Sequence, residues 1–143
     1  MNISTEVQCI IMHEGKVLIG RPEEGAKWVT PGGEINVGEH ILEATIRTVF
    51  NCAGISVQPQ NVIFVSEEID HEKEVHRILI FLYAKYVEGE ITISDDGLWS
   101  DAKWVDVREL GPIQDEMSNA TVDGFYKFSI ILQQSAARSG AQA

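Results

Sequence analysis

Between Gly33 and Ile55 the chain places Glu39, Thr48, Asn51 and Cys52, four side chains with chemistry to offer, of which only Glu39 is charged. The stretch runs Gly33-Glu34-Ile35-Asn36-Val37-Gly38-Glu39, continues for seven residues to Arg47, and ends Thr48-Val49-Phe50-Asn51-Cys52-Ala53-Gly54-Ile55. Thr48, Asn51 and Cys52 stand at i, i+3 and i+4, a spacing that on a helix points three side chains to one side. Carboxylates there would give a hard cation the oxygen ligands it prefers. Thr48 offers a neutral hydroxyl, Asn51 an amide oxygen, and Cys52 a soft sulfur poorly suited to Mg²⁺. Glu39 keeps its charge, in a first helical turn where the helix dipole favours an anion.

Other residues able to do chemistry lie outside this stretch. Asp95, Asp96 and Asp101 make an acidic loop, and its carboxylates are candidate metal ligands. His76 opens a strand and carries an imidazole, a group that changes charge near neutral pH. Arg21 ends a strand, and its planar guanidinium can pair with an anion. Trp28, three residues before Pro31-Gly32-Gly33, is read either as core or as the wall of a nucleotide cleft.

These side chains need elements to position them. Val7 to Met12 and Val17 to Ile19 read as strands joined by the hairpin signal His13-Glu14-Gly15-Lys16. Trp28 to Thr30 reads as a short strand stopped by Pro31-Gly32-Gly33. Glu39 to Ala53 is helical by period, with Gly54 where a helix C-terminal glycine belongs. That period gathers Leu42, Ile46, Val49, Phe50 and Ala53 on one side, expected to be buried. Thr48 and Asn51 fall opposite, facing a cleft rimmed by Arg21, Trp28 and Gly33. Glu43 and Arg47 are expected to pair as an i, i+4 couple. Ile55–Ile69 and Val75–Val87 read as two long strands joined at Asp70-His71-Glu72-Lys73. Lys103–Val107 reads as a further strand, Thr121–Ala136 as a closing helix, and residues 137–143 as a frayed tail. The order gives a single α+β domain over residues 1–136, a sheet sandwiched between helices.

The bulk numbers exclude some partners. A chain of 143 residues with 44% hydrophobic and 23% charged residues has the composition of one globular domain. Its net charge of −11 argues against nucleic acid, as does the scatter of its 11 basic residues. No apolar run is long enough for a bilayer, and the N-terminus lacks a signal pattern, so cytoplasmic residence is expected. Cys9 and Cys52 are expected to be reduced and buried.

Taken together, Pro31-Gly32-Gly33, Glu39, Arg47, Val49, Gly54 and Ile55 resemble the Nudix box, and the strand and helix order resembles the MutT-like Nudix fold, a mixed sheet between helices. The resemblance implies a nucleotide-like or phosphorylated ligand, hydrolysis of a diphosphate, and Mg²⁺ or Mn²⁺ where the protein is active. In that family glutamates stand at the positions of Thr48, Asn51 and Cys52. Here the remaining metal-side candidates are the Gly33 carbonyl, Glu39 and Asp96, with Glu39 and His76 as catalytic candidates. Arg21, Trp28, Gly32 and Gly33 are the substrate-side candidates. The expected reading is a ligand-binding Nudix-like protein with weak or no hydrolysis, the alternative an active hydrolase using substitute ligands. An interaction module with a filled cleft is the third reading, and a homodimer is compatible with all three.

Overall fold

Alternation along the first strand divides the molecule into two layers of core. The computed structural model describes residues 1–95 and 97–142, with side chains to residue 138, so Asp96 lies outside the described residues. In β1 (Ile3–His13), Val7, Cys9 and Ile11 face one way and Ile10 the other. A tight turn, with Glu14 at φ 53° and Gly15 at φ 74°, returns the chain as β2 (Lys16–Arg21). This is the hairpin that His13-Glu14-Gly15-Lys16 predicts.

The chain then crosses as isolated bridges at Trp28 and Val29, pairs briefly with β1 as β3 (Gly32–Glu34), and enters helix α1 (Ile41–Ala53). Two long strands follow, β4 (Ser56–Asp70) and β5 (Val75–Glu88), then β6 (Asp101–Asp106) and helix α2 (Asn119–Gln142). The sheet order is β4-β5-β1-β2-β6, with β3 on β1. β1 runs parallel to β5, and the other pairings between these strands are antiparallel. Helix α1 packs on Cys9, Ile11, Leu18 and Ala84 through Val49, Cys52 and Ala53. Helix α2 packs on Ile10, Ile19 and Phe81 through Phe125 and Phe128. The α+β sandwich with a mixed sheet is therefore the fold. Helix α2 begins at Asn119 and continues to Gln142, past the end expected at Ala136.

The orientation of α1 corrects the expectation drawn from its period. Its buried residues are Ala44, Thr45, Thr48, Val49, Cys52 and Ala53. Leu42, Ile46 and Phe50 leave 50, 46 and 57% of their surface outside. The inward face is thus turned by roughly one residue's rotation from the face richest in large apolar groups. Size explains the turn. Helix α1 must lie against β3, and only small side chains allow that approach. Gly33 shows how close the helix lies, because a Cβ there would stand 3.3 Å from the Thr48 methyl, and Gly32 shows how close β1 lies, because a Cβ there would stand 2.0 Å from the Val7 carbonyl oxygen. Real Cβ atoms do not approach backbone oxygen so closely, and neither strand can move without breaking the β1–β3 pairing.

Gly32→Ala is expected to destabilise the fold by at least about 3 kcal/mol, the upper range for overpacking a site that cannot yield. The urea midpoint reads this out. A loss below ~1 kcal/mol would mean that β3 is free to shift.

Candidate functional site

The loop from β3 into α1 is fixed by one carboxylate. Glu39 accepts from Arg47 Nε at 2.7 Å and Nη2 at 2.9 Å, and from the Asn36 amide at 3.0 Å. Arg47 Nη2 also donates to the Glu34 carbonyl at 2.8 Å. One bidentate pair therefore ties the approach loop to the middle of the helix. Arg47 and the Asn36 amide together hold the Glu39 carboxyl at about 2, below its ordinary 4.5. The expected Glu43–Arg47 pair does not form. Arg47 is turned to Glu39, and Glu43 instead accepts from the His40 amide at 3.3 Å. At the other end Gly54, at φ 72°, closes the helix by donating to the Phe50 carbonyl at 2.8 Å.

Thr48 and Cys52 lie inside this frame, with 1% of their surface exposed. The expectation that Thr48 faces an open cleft is corrected. Its hydroxyl donates back to the Thr45 carbonyl at 3.4 Å, and its methyl lies 3.3 Å from where a Gly33 Cβ would sit. Leu98 closes the same spot from the loop before β6, 3.6 Å from that point. The Cys52 thiol donates to the Gly32 carbonyl at 3.5 Å, and burial pushes it up to about 11, so it stays protonated at neutral pH. Both cysteines are free and buried, as expected. Asn51 is exposed and lines a hollow with Phe50, Gly54, Thr92 and Leu98.

A second polar group lies on the α2 face of the sheet. The Arg21 guanidinium sits 4.5 Å from the Trp28 ring centre, Lys103 Nζ sits 4.3 Å from it, and Asp101 pairs with Arg21 at 3.3 Å. Trp28 itself is 6% exposed and packs in the core with Ile10, so it is a wall of the core that two cations cover. Further along β1, Thr30 donates to Gln8 at 2.7 Å, and Glu6 pairs with Arg77, which also holds Glu68. Burial raises the Glu6 carboxyl, against the opposing pull of Arg77. Lys103, Gln8, Glu6 and Arg77 do not figure among the residues singled out by sequence. Their signal is the strand alternation, which puts Glu6 and Gln8 on the face of Ile10, and Lys103 on that of Asp101.

His76 is not brought to either group. It pairs with Glu67 at 2.8 Å across the β4–β5 hairpin, in register with Ile3. Gly33 is in register with Val7, and Val7 with Ile80, which puts His76 roughly 13 Å away along the strand.

The family model for the NUDIX domain matches residues 4–125. The chain belongs to the Nudix family. It is similar to "Phosphatase NudJ" of Escherichia coli strain K12, 31% identical over 107 residues that cover 73% of this chain and 69% of that protein. Among solved structures, a NUDIX hydrolase from Nitrosomonas europaea superposes with a TM-score of 0.78 at 18% identity, covering 90% of each chain. A MutT protein from Methanosarcina mazei Go1 superposes with a TM-score of 0.75 at 25% identity, over 89% of this chain and 93% of that one. Nudix hydrolases generally use divalent metals, and the described residues of this Nudix chain offer few ligands for one. Among them no group of three His, Cys, Asp or Glu side chains could hold an ion. Both oxygens of Glu39 are engaged, and the inward positions of α1 present a methyl and a protonated thiol.

The Glu39–Arg47 tie gives a pH signature. A carboxyl held below its unfolded value adds stability above about 4.5, and that contribution fades as pH falls through about 2. Glu39→Gln is expected to lower the melting temperature at pH 7, and the gap to the natural chain should close as pH falls from 4.5 to 2. A gap that is constant over this range would show that Glu39 contributes no ionised pairing.

Proposed function

We propose that this Nudix protein binds a small nucleotide-like or phosphorylated ligand and has weak or no diphosphohydrolase activity. The observation that carries the reading is the dry packing of Thr48 and Cys52 against Gly32, Gly33 and Leu98, where a metal site would need oxygen ligands. In this reading Arg21 meets the phosphate, with Trp28 holding its guanidinium in place, while Gly32 and Gly33, whose open sides are filled by Val7, Thr48 and Leu98, take no part in it. No bound cation supplies Lewis-acid assistance or an activated water, each worth several kcal/mol in metal-dependent hydrolysis. Cytoplasmic residence and a homodimer belong to the same proposal. No helix among the described residues is long and apolar enough to cross a membrane.

A second reading, an active metal-dependent hydrolase, is favoured by the 31% identity to a protein named a phosphatase. It assigns the metal to the Gly33 carbonyl, Glu39 and the Asp95–Asp96 loop, with Glu39 as the catalytic group and Mg²⁺ or Mn²⁺ as cofactor, and leaves His76, paired with Glu67, out of the site. Glu39 would then have to leave Arg47.

Calorimetry separates the two readings. Mg²⁺ or Mn²⁺ added alone to the natural chain is expected to give no binding heat, while nucleoside diphosphates bind and Arg21→Ala weakens them about tenfold, ~1.4 kcal/mol. In the triple variant Thr48→Glu, Asn51→Glu, Cys52→Glu, added metal is expected to raise the melting temperature, since a ligand that binds only the folded state stabilises it. Robust Mg²⁺-dependent turnover by the natural chain, lost in Glu39→Gln or Asp96→Asn, would replace the first reading with the second. Absence of any nucleotide binding would leave the interaction module.

A further inference from the structure

Two cations lie over the Trp28 ring, and only one of them has a carboxylate partner. Arg21 Cζ is 4.5 Å from the ring centre and Lys103 Nζ is 4.3 Å from it, so the two charges stand within about 9 Å of each other. The strand register fixes the pair. Arg21 stands opposite Asp101 and Ile19 opposite Lys103, which makes Arg21 and Lys103 diagonal neighbours on one face of the β2–β6 ladder, roughly 7–8 Å apart at the backbone. Like charges at that range repel, and the negative face of the indole offsets part of the cost.

Each cation keeps binding capacity in reserve. Arg21 gives Asp101 one Nη2 contact at 3.3 Å, long for a charged pair, and its Nε is buried with no hydrogen-bond partner among the described residues. Lys103 is exposed and makes no ion pair among the described residues. In a chain with 22 acidic and 11 basic residues a lysine is readily paired, yet this one is held by a ring beside a second cation. One flank of Arg21 opens on a hollow lined by Glu23, Glu24, Ser100 and Asp101, whose carboxylates repel an anion. Lys103 does not line that hollow, so the approach open to an anion is from the Lys103 side.

We propose that Lys103 is a second phosphate-binding residue, and that Arg21 and Lys103 together seat the two phosphoryl groups of a diphosphate over Trp28. The inference rests on the reading that Arg21 meets the phosphate, and adds which phosphorylated ligands are preferred. A diphosphate presents two anionic ends joined by one oxygen. The guanidinium takes one end through paired N–H donors, and the ammonium takes the other as a point charge. A monophosphate meets only one cation closely and leaves the other unneutralised. The preference is thus set by side-chain charge and needs no added ion.

Calorimetry in a chelating buffer tests this with pyrophosphate and orthophosphate, and with ADP and AMP as their nucleotide counterparts. The natural chain is expected to bind each diphosphate at least about tenfold tighter than the matching monophosphate. Lys103→Met keeps the length of the side chain and removes its charge. It is expected to erase the preference while holding monophosphate affinity within about twofold. Lys103→Arg is expected to retain the preference, and Lys103→Gln repeats the loss should Lys103→Met fold poorly. Raising salt from about 0.05 M to about 0.3 M is expected to shrink it, since the contacts are exposed. Equal affinity of the natural chain for di- and monophosphates, or a preference that survives loss of the Lys103 charge, would overturn the assignment and leave the role of Arg21 standing. A preference that appears only when Mg²⁺ replaces the chelator would overturn it as well, because the ion would then be the second charge. Failure of all four probes to bind would instead remove the reading of Arg21, and this inference with it.

Discussion

Everything around the loop and helix depends on how closely β3 approaches β1 on one side and α1 on the other. Gly32 sits so near the Val7 carbonyl that no side chain fits between them. On the far side Cys52 donates to the carbonyl of the same Gly32. Three backbone layers therefore meet with little more than a methyl or a sulfur between them. Interiors packed to this density transmit any change in volume, so the identity of residue 48 or 52 is coupled to the position of the whole helix. The Glu39–Arg47 pair completes the arrangement from outside by fixing the loop that delivers β3 to the helix.

That geometry has an electrostatic consequence. Carboxylates on the inward side of α1 would repel one another in a poorly hydrated space, and only a cation could offset the cost. A threonine and a protonated cysteine remove the repulsion and the need for the ion together. Leu98 lies close to Gly33 on the same side as Thr48, so carbon fills that spot. The remaining charged groups sit on other parts of the sheet. Arg21, Lys103 and Asp101 gather at Trp28, and Glu6, Arg77 and Glu68 gather where β1, β5 and β4 run side by side. Strand alternation keeps both clusters on the α2 side, so these charged groups and the α1 packing occupy opposite faces.

The fold was legible because its signals are local and redundant. The Glu14–Gly15 turn, the apolar strands and the glycine after Ala53 each specify an element without help from the rest. The site was legible only in part. The position of Arg47 was readable, but its partner was not, because Glu43 and Glu39 are both within reach by sequence and only the loop path decides between them. The inward face of α1 was misread for a physical reason. Counting large apolar groups assumes that the core takes the largest side chains, and here close approach to β3 selects the smallest. Glu6 and Arg77 were missed because they are 71 positions apart and meet only through the parallel pairing of β1 with β5.

The surviving box positions can be explained by folding physics alone. Gly54 is needed for a left-handed cap, Arg47 for tying the loop, Val49 for the core, and Gly32 for the crossing of β3 over β1. None of these four roles requires a metal or a phosphate. A family box is thus two superimposed sets of residues, one that builds the loop and helix and one that loads it with charge. The first set places this chain among Nudix proteins. In the second set, the described atoms of Thr48 and Cys52 are those of a packed interior.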